Sequence, residues 1–98
     1  MDIFEKIDRL TRQPFTDCQR AAAFLGCSSR TVRRLIMAGE IAAIRRHATA
    51  PYQVLTHALA ASLVKSLWQA SLDGQTLANV DLDRLEAYAE RFGVLDTV

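Results

Sequence analysis

The feature that most constrains the fold is a stretch of 21 residues, AAAFLGCSSRTVRRLIMAGEI, which runs from Ala21 to Ile41. Only three residues, Gly26 to Ser28, separate two runs with helical spacing, and Gly39 follows the second run. Glycine adopts the left-handed conformation that ends a helix sharply, and serine is a preferred N-cap. The stretch therefore predicts two short helices, Cys18–Leu25 and Ser29–Ala38, joined by the tight turn typical of helix-turn-helix proteins.

The pattern on either side of this pair predicts further helices and a small hairpin. Pro14 is expected to end the first helix, and Thr16 and Thr56 are expected to be N-caps of later helices. The predicted elements are a helix over Asp2–Arg12, a hairpin that pairs Ala42–Arg46 with Tyr52–Leu55 across a turn at Ala48–Pro51, a helix over His57–Leu72 and a helix from Asp81 to Gly93. We expect a mostly α fold with a small β-hairpin, as one domain over 1–98: a core over 16–63 and a C-terminal helical extension over 64–98.

The modest formal net charge of +1 conceals a strong asymmetry along the chain. Six arginines and one acid, Glu40, lie between Gln19 and Ala50, which gives this segment a charge of +5. Six acids and two arginines lie between Asp73 and Val98, which gives a charge of −4. A basic middle segment and an acidic C-terminal segment predict two surfaces with different tasks.

The second helix of the pair separates apolar and basic residues by face. At about 100° per residue, Val32, Leu35 and Ile36 share one side, and Arg30 and Arg34 lie opposite Val32. The arginines have no acid on this helix to neutralise them. Charged residues often simply form a solvated face, but arginine is also the residue best matched to phosphate and to the O6/N7 edge of guanine. Together with the two-helix pattern, this face predicts a nucleic-acid contact.

With these residues in place, the chain resembles the MerR-like winged helix-turn-helix family, in particular its phage excisionase branch. Members carry a pattern of the type AAxxLGVSxRTVxRLIxxGxIxAxR, which this chain matches from Ala21 to Arg45, with Cys27 at the position where valine is usual. The resemblance implies a winged helix-turn-helix fold, with a recognition helix in the major groove and a wing beside the backbone or minor groove. It implies these DNA-contacting residues: Ser28, Ser29, Arg30, Thr31, Arg33 and Arg34 on the recognition helix, and Arg45, Arg46 and His47 on the wing. The wing tip, His47–Pro51, departs from the family in lacking glycines and extra basic residues.

The resemblance implies a sequence-specific double-stranded DNA-binding protein of phage or mobile-element type, acting as an excisionase, as a transcriptional regulator or as both. The alternatives are a DNA-packaging protein similar to phage terminase small subunits, and a protein-interaction module that does not bind DNA. Expected partners are duplex DNA, further copies of the chain on DNA, and an integrase or recombinase. The acidic C-terminal helix either packs on its own domain or mediates self-association through Trp68, Leu82, Leu85 and Phe92.

Several other classes of function find no support in the sequence. Its acids, histidines and cysteines form no catalytic motif, so we expect no enzyme, no small-molecule substrate and no cofactor. Cys18, Cys27, His47 and His57 lack the close cysteine pair of a zinc site, and we expect both thiols to pack as small apolar groups. The acidic N-terminus does not resemble a signal peptide, and the apolar runs are too short to span a membrane. The expected location is the cytoplasm of a bacterial host.

Overall fold

The computed structural model describes residues 2–97, with side chains described for residues 2–95. The fold is mostly helical, with a small antiparallel sheet, as the sequence predicted. The elements are α1 (Ile3–Leu10), β1 (Phe15–Thr16), α2 (Cys18–Leu25), α3 (Ser29–Met37), β2 (Ala43–Ile44), β3 (Gln53–Leu55), α4 (Thr56–Leu72), α5 (Leu82–Arg91) and a 3-10 helix (Val94–Thr97).

The sheet has three strands in the order β1–β3–β2. The predicted hairpin is present but shorter than expected, because β2 ends at Ile44 and Arg46 lies in the turn. The third strand, β1, was not predicted. Phe15 pairs with Leu55, so this short strand is held by a partner far along the chain and carries no local signal of its own.

Two predicted N-caps are wrong, and each has a physical reason. Asp17, not Thr16, caps α2, because its Oδ1 accepts a hydrogen bond of 2.7 Å from the backbone N–H of Arg20. Thr16 is instead paired in β1. Thr56 is the first residue of α4, and its buried hydroxyl donates to the backbone carbonyl of Gln13. That bond ties the segment before β1 to the start of α4.

The core consists of two clusters that share α4. The hairpin-side cluster comprises Ala21, Ala22, Val32, Ile41, Val54 and Leu59. The terminal-helix cluster comprises Phe4, Ile7, Ala60, Val64, Leu85, Ala89, Phe92 and Val94. Leu10 and Phe24 pack against both clusters. α4 runs without a break across the predicted boundary between residues 63 and 64, and α1 packs with the C-terminal segment.

Polar side chains fasten α5 to α1 around the terminal-helix cluster. The hydroxyl of Tyr88 donates to Asp8 at 2.8 Å, and Arg91 donates to the other oxygen of the same carboxylate at 3.1 Å. Arg84 pairs with Asp2 at 3.2 Å. These contacts join residues 80 to 83 positions apart, so the two ends of the chain form one side of the molecule.

Candidate nucleic-acid interface

The start of α3 is fixed by its own side chains and by the turn before it. Gly26 ends α2 with φ at +73°, and its N–H donates to the carbonyl of Ala22. Ser28 caps α3, because its hydroxyl accepts a hydrogen bond of 3.2 Å from the N–H of Thr31 and lies 3.0 Å from the Thr31 hydroxyl. Ser28 and Thr31, which the resemblance assigns to DNA contact, therefore also set where the helix begins.

The burial of α3 follows the angular prediction. Val32 is fully buried in the hairpin-side cluster, and Leu35 and Ile36 are partly buried against it. Arg30, Arg33 and Arg34 are exposed, and Ser29 is partly exposed at the first turn. The structure thus confirms that one face of α3 anchors the helix while the opposite face presents arginines.

The arginines of α3 have no acidic partner among residues 2–95. The ion pairs within that range join Arg20 to Asp17, Arg84 to Asp2 and Arg91 to Asp8. The guanidinium groups on α3 therefore form no ion pair with the side chains that the structure describes. A cationic face without internal neutralisation is a favourable site for an anionic ligand.

The hairpin adds a second group of basic side chains. The guanidinium of Arg45 lies 4.6 Å from the centre of the Tyr52 ring, a cation–π contact that restrains a long side chain. Arg46 is exposed in the turn. His47 is also exposed, and its Nδ1 lies 3.1 Å from the Thr49 hydroxyl. The hairpin turn thus carries Arg46 and His47, while Arg45 follows β2 directly.

Sequence reasoning missed two residues of this surface. Tyr52 orients Arg45 through the ring contact described above. Arg20 is exposed on α2 and lines a shallow hollow together with Phe15 and Tyr52. Arg20 belongs to the basic segment that the charge count identified, but its proximity to the hairpin depends on β1 and could not be predicted from spacing.

The residues assigned to self-association do not form one exposed surface. Leu85 and Phe92 are buried in the terminal-helix cluster, and Trp68 is partly buried against it. Leu82 is 54% exposed. In this arrangement Leu85 and Phe92 are unavailable to a partner, because the fold already uses them to hold α5 on α1 and α4.

The described residues contain no group of three or more histidine, cysteine or acidic side chains that could hold a metal ion. Cys18 and Cys27 are free thiols packed against the hairpin-side cluster. None of the helices within residues 2–97 combines the length and apolar character needed to cross a membrane.

Comparison of the chain with protein-family models, with curated proteins and with solved structures finds no match.

Proposed function

We propose that this chain is a sequence-specific binding protein for double-stranded DNA, with a winged helix-turn-helix arrangement in which α3 enters the major groove. The observation that carries the proposal is the arginine face of α3. Arg30, Arg33 and Arg34 are exposed and have no carboxylate partner within the described side chains, while Val32 fixes the opposite face in the core. Such a helix presents positive charge in one fixed orientation.

The dimensions and chemistry of α3 suit a major groove. An α-helix with its side chains is about 10–12 Å across, and the major groove of B-DNA is about 12 Å wide. Residues near the start of a recognition helix reach base edges, which assigns Arg30 to base contact. Arg33 and Arg34 lie one turn further along, where their planar guanidinium groups can bind phosphate or guanine in a bidentate manner.

The hairpin acts as the wing in this proposal. The DNA backbone beside the groove is contacted by Arg45, whose side chain Tyr52 restrains. It is also contacted by the exposed Arg46 and His47. Phosphate contacts of this kind orient the protein on the duplex without reading sequence. The wing therefore contributes affinity, and α3 contributes specificity.

The biological output that we propose is that of an excisionase, a transcriptional regulator or both, with further copies of the chain and an integrase or recombinase as partners. The support for this role is the family resemblance, which runs from about Thr16 to Leu63 and whose motif spans Ala21–Arg45. Because Leu85 and Phe92 are buried, self-association on DNA has to use exposed residues such as Leu82 instead. The spacing of protected sites in a footprint of the DNA that flanks its gene would report both specificity and self-association.

The recognition-helix assignment is tested by the double variant Arg30→Ala/Arg34→Ala. We expect footprints to disappear, because Arg30 is assigned to base contact. The slope of log affinity against log salt should become shallower by up to about one unit, because Arg34 can contact phosphate and each phosphate contact contributes about 0.9. Unchanged specific binding would exclude α3 as the reading helix. Absence of any DNA binding by the wild type would favour a protein-interaction module instead.

A matched variant separates the contribution of base contacts to sequence preference from the contribution of positive charge to affinity. Arg30→Lys/Arg34→Lys keeps both positive charges but removes the bidentate fork. We expect it to retain salt-dependent binding to duplexes of arbitrary sequence and to lose preference for the specific site by a factor of ten or more, since a good bidentate pair contributes about 1–3 kcal/mol of discrimination. Lys65→Ala, which removes an exposed cation of α4, serves as the control for loss of a cation elsewhere.

A further inference from the structure

A basic groove lies between α1 and α2, and of its cations only Arg20 belongs to the surface described above. It has a volume of about 680 Å³. Its cations are Lys6, Arg9, Arg12 and Arg20, all exposed, and no acidic side chain lines it. Its apolar lining includes Leu10, Phe15 and Phe24. We propose that this groove binds the phosphodiester backbone of the same duplex that α3 reads, an inference that rests on the proposed function.

The cations stand on both sides of the groove. Lys6 and Arg9 belong to α1, Arg20 belongs to α2, and Arg12 lies in the segment that connects them. A DNA backbone is a ridge with a negative charge at every phosphate, so it can be contacted from two walls at once. Three of the four cations are arginines, whose guanidinium groups bind phosphate in a bidentate manner. The apolar lining can accept the sugars between the phosphates.

The groove is continuous with the proposed wing. A second, smaller hollow shares Phe15, Thr16 and Arg20 with the groove and is lined on its other side by Tyr52 and Gln53 of the hairpin. The ring of Tyr52 in turn contacts the guanidinium of Arg45. Basic side chains therefore follow one another from the wing, past the edge strand β1, to α1. A backbone that leaves the wing along this path meets Arg20 first and then the cations of α1.

No acidic side chain lines the groove itself, although Asp17 lines the smaller hollow and the exposed Glu5 lies one turn before Arg9 on α1. The nearest carboxylate to its cations is that of Asp17, 3.9 Å from Arg20. Around α1, Lys6 and Asp8 lie about 160° apart, and Asp8 contacts α5. Lys6 therefore lies on the flank of α1 opposite to Asp8, and Arg9 lies about 100° from Asp8. The exposed acids Glu86 and Glu90 of α5 do not line the groove.

The test is the salt dependence of binding to a duplex several helical turns long, with wild type, Arg9→Ala/Arg12→Ala and the control Lys65→Ala. We expect the groove variant to lower the slope by about two units, so that a fourfold rise in salt costs the wild type about tenfold more affinity than the variant. The loss should be equal on specific and arbitrary sequences, because phosphate contacts carry no sequence information. Lys65→Ala should leave the slope unchanged. All these side chains are exposed, and circular dichroism verifies that each variant is folded.

The outcomes separate this inference from the proposed function. If Arg30→Ala/Arg34→Ala abolishes specific binding while the groove variant keeps the wild-type slope, the groove assignment is overturned and the proposed function stands. If neither double variant changes DNA binding, both are overturned. Sedimentation tests one further alternative. If the wild type self-associates, the groove variant does not, and the salt slope of DNA binding is the same for both, the inference is overturned. The groove would then bind the acidic face of a second copy of the chain.

Discussion

Tyr88 connects the two ends of the chain through a single hydroxyl group. Its O–H donates to Asp8 at 2.8 Å, and its ring packs 4.7 Å from that of Phe4. Burial of the phenol, followed by its hydrogen bond to Asp8, raises the pKa of Tyr88 above its ordinary value of 10.0. The protonated phenol is therefore the form that the fold favours.

We expect Tyr88→Phe to lower the free energy of unfolding by about 1 kcal/mol at neutral pH, because a partly buried hydrogen bond to a carboxylate is lost. Equilibrium unfolding in urea measures the change. Tyr52→Phe is the matched control, since the Tyr52 hydroxyl makes no hydrogen bond to the described residues. Exact additivity of Tyr88→Phe and Asp8→Ala in a double-mutant cycle would show that the bond contributes nothing.

The same bond has a defined pH dependence. Because the pKa of Tyr88 is higher in the folded than in the unfolded chain, its contribution to stability is fully present below pH 10.0 and is lost as the pH rises through the folded-state value. The stability difference between wild type and Tyr88→Phe should therefore shrink in alkaline buffer. A constant difference across that range would contradict the assigned donor role.

At the scale of elements, the sequence predicts what local chemistry determines. The bounds of α2, the start of α3 and the burial of Val32 follow from periodicity, a left-handed glycine and a serine cap. The edge strand β1 and the role of Thr56 depend on partners about 40 residues away, and no local pattern encodes them. The same limit applies to the site: spacing predicted the exposed arginines of α3, but only the three-dimensional path of β1 brings Arg20 beside the hairpin.

The turn between α2 and α3 offers a direct test of its conformational requirement. Gly26 has φ at +73°, and a Cβ there would meet no atom within 4 Å, so any cost of substitution comes from the backbone alone. We expect Gly26→Ala to destabilise the protein by about 1–2 kcal/mol, and Gly26→Asn to cost less, because asparagine tolerates the left-handed region. Thermal unfolding of the three proteins gives the order. Equal stability would show that the turn does not need this conformation.

At the scale of the whole molecule, the proposed DNA surface and the acidic helix α5 are connected through one shared hydrophobic core. α4 contributes Leu59 to the hairpin-side cluster and Val64 to the terminal-helix cluster, and Leu10 and Phe24 touch both. α5 is therefore not a separable appendage. Its apolar face completes the core on which α4, and through it α3, is supported.

Leu85 and Leu82 test this linkage on one helix. Leu85 is fully buried, and Leu82 is 54% exposed. We expect Leu85→Ala to destabilise the protein by about 2–5 kcal/mol, and Leu82→Ala by less than about 0.5 kcal/mol. Because the two clusters share α4, Leu85→Ala should shift the Trp68 fluorescence transition and lower hydrogen-exchange protection in α3 together. If protection in α3 stays at the wild-type level while the Trp68 transition moves, the two clusters unfold independently, and α5 does not support the proposed DNA-binding surface.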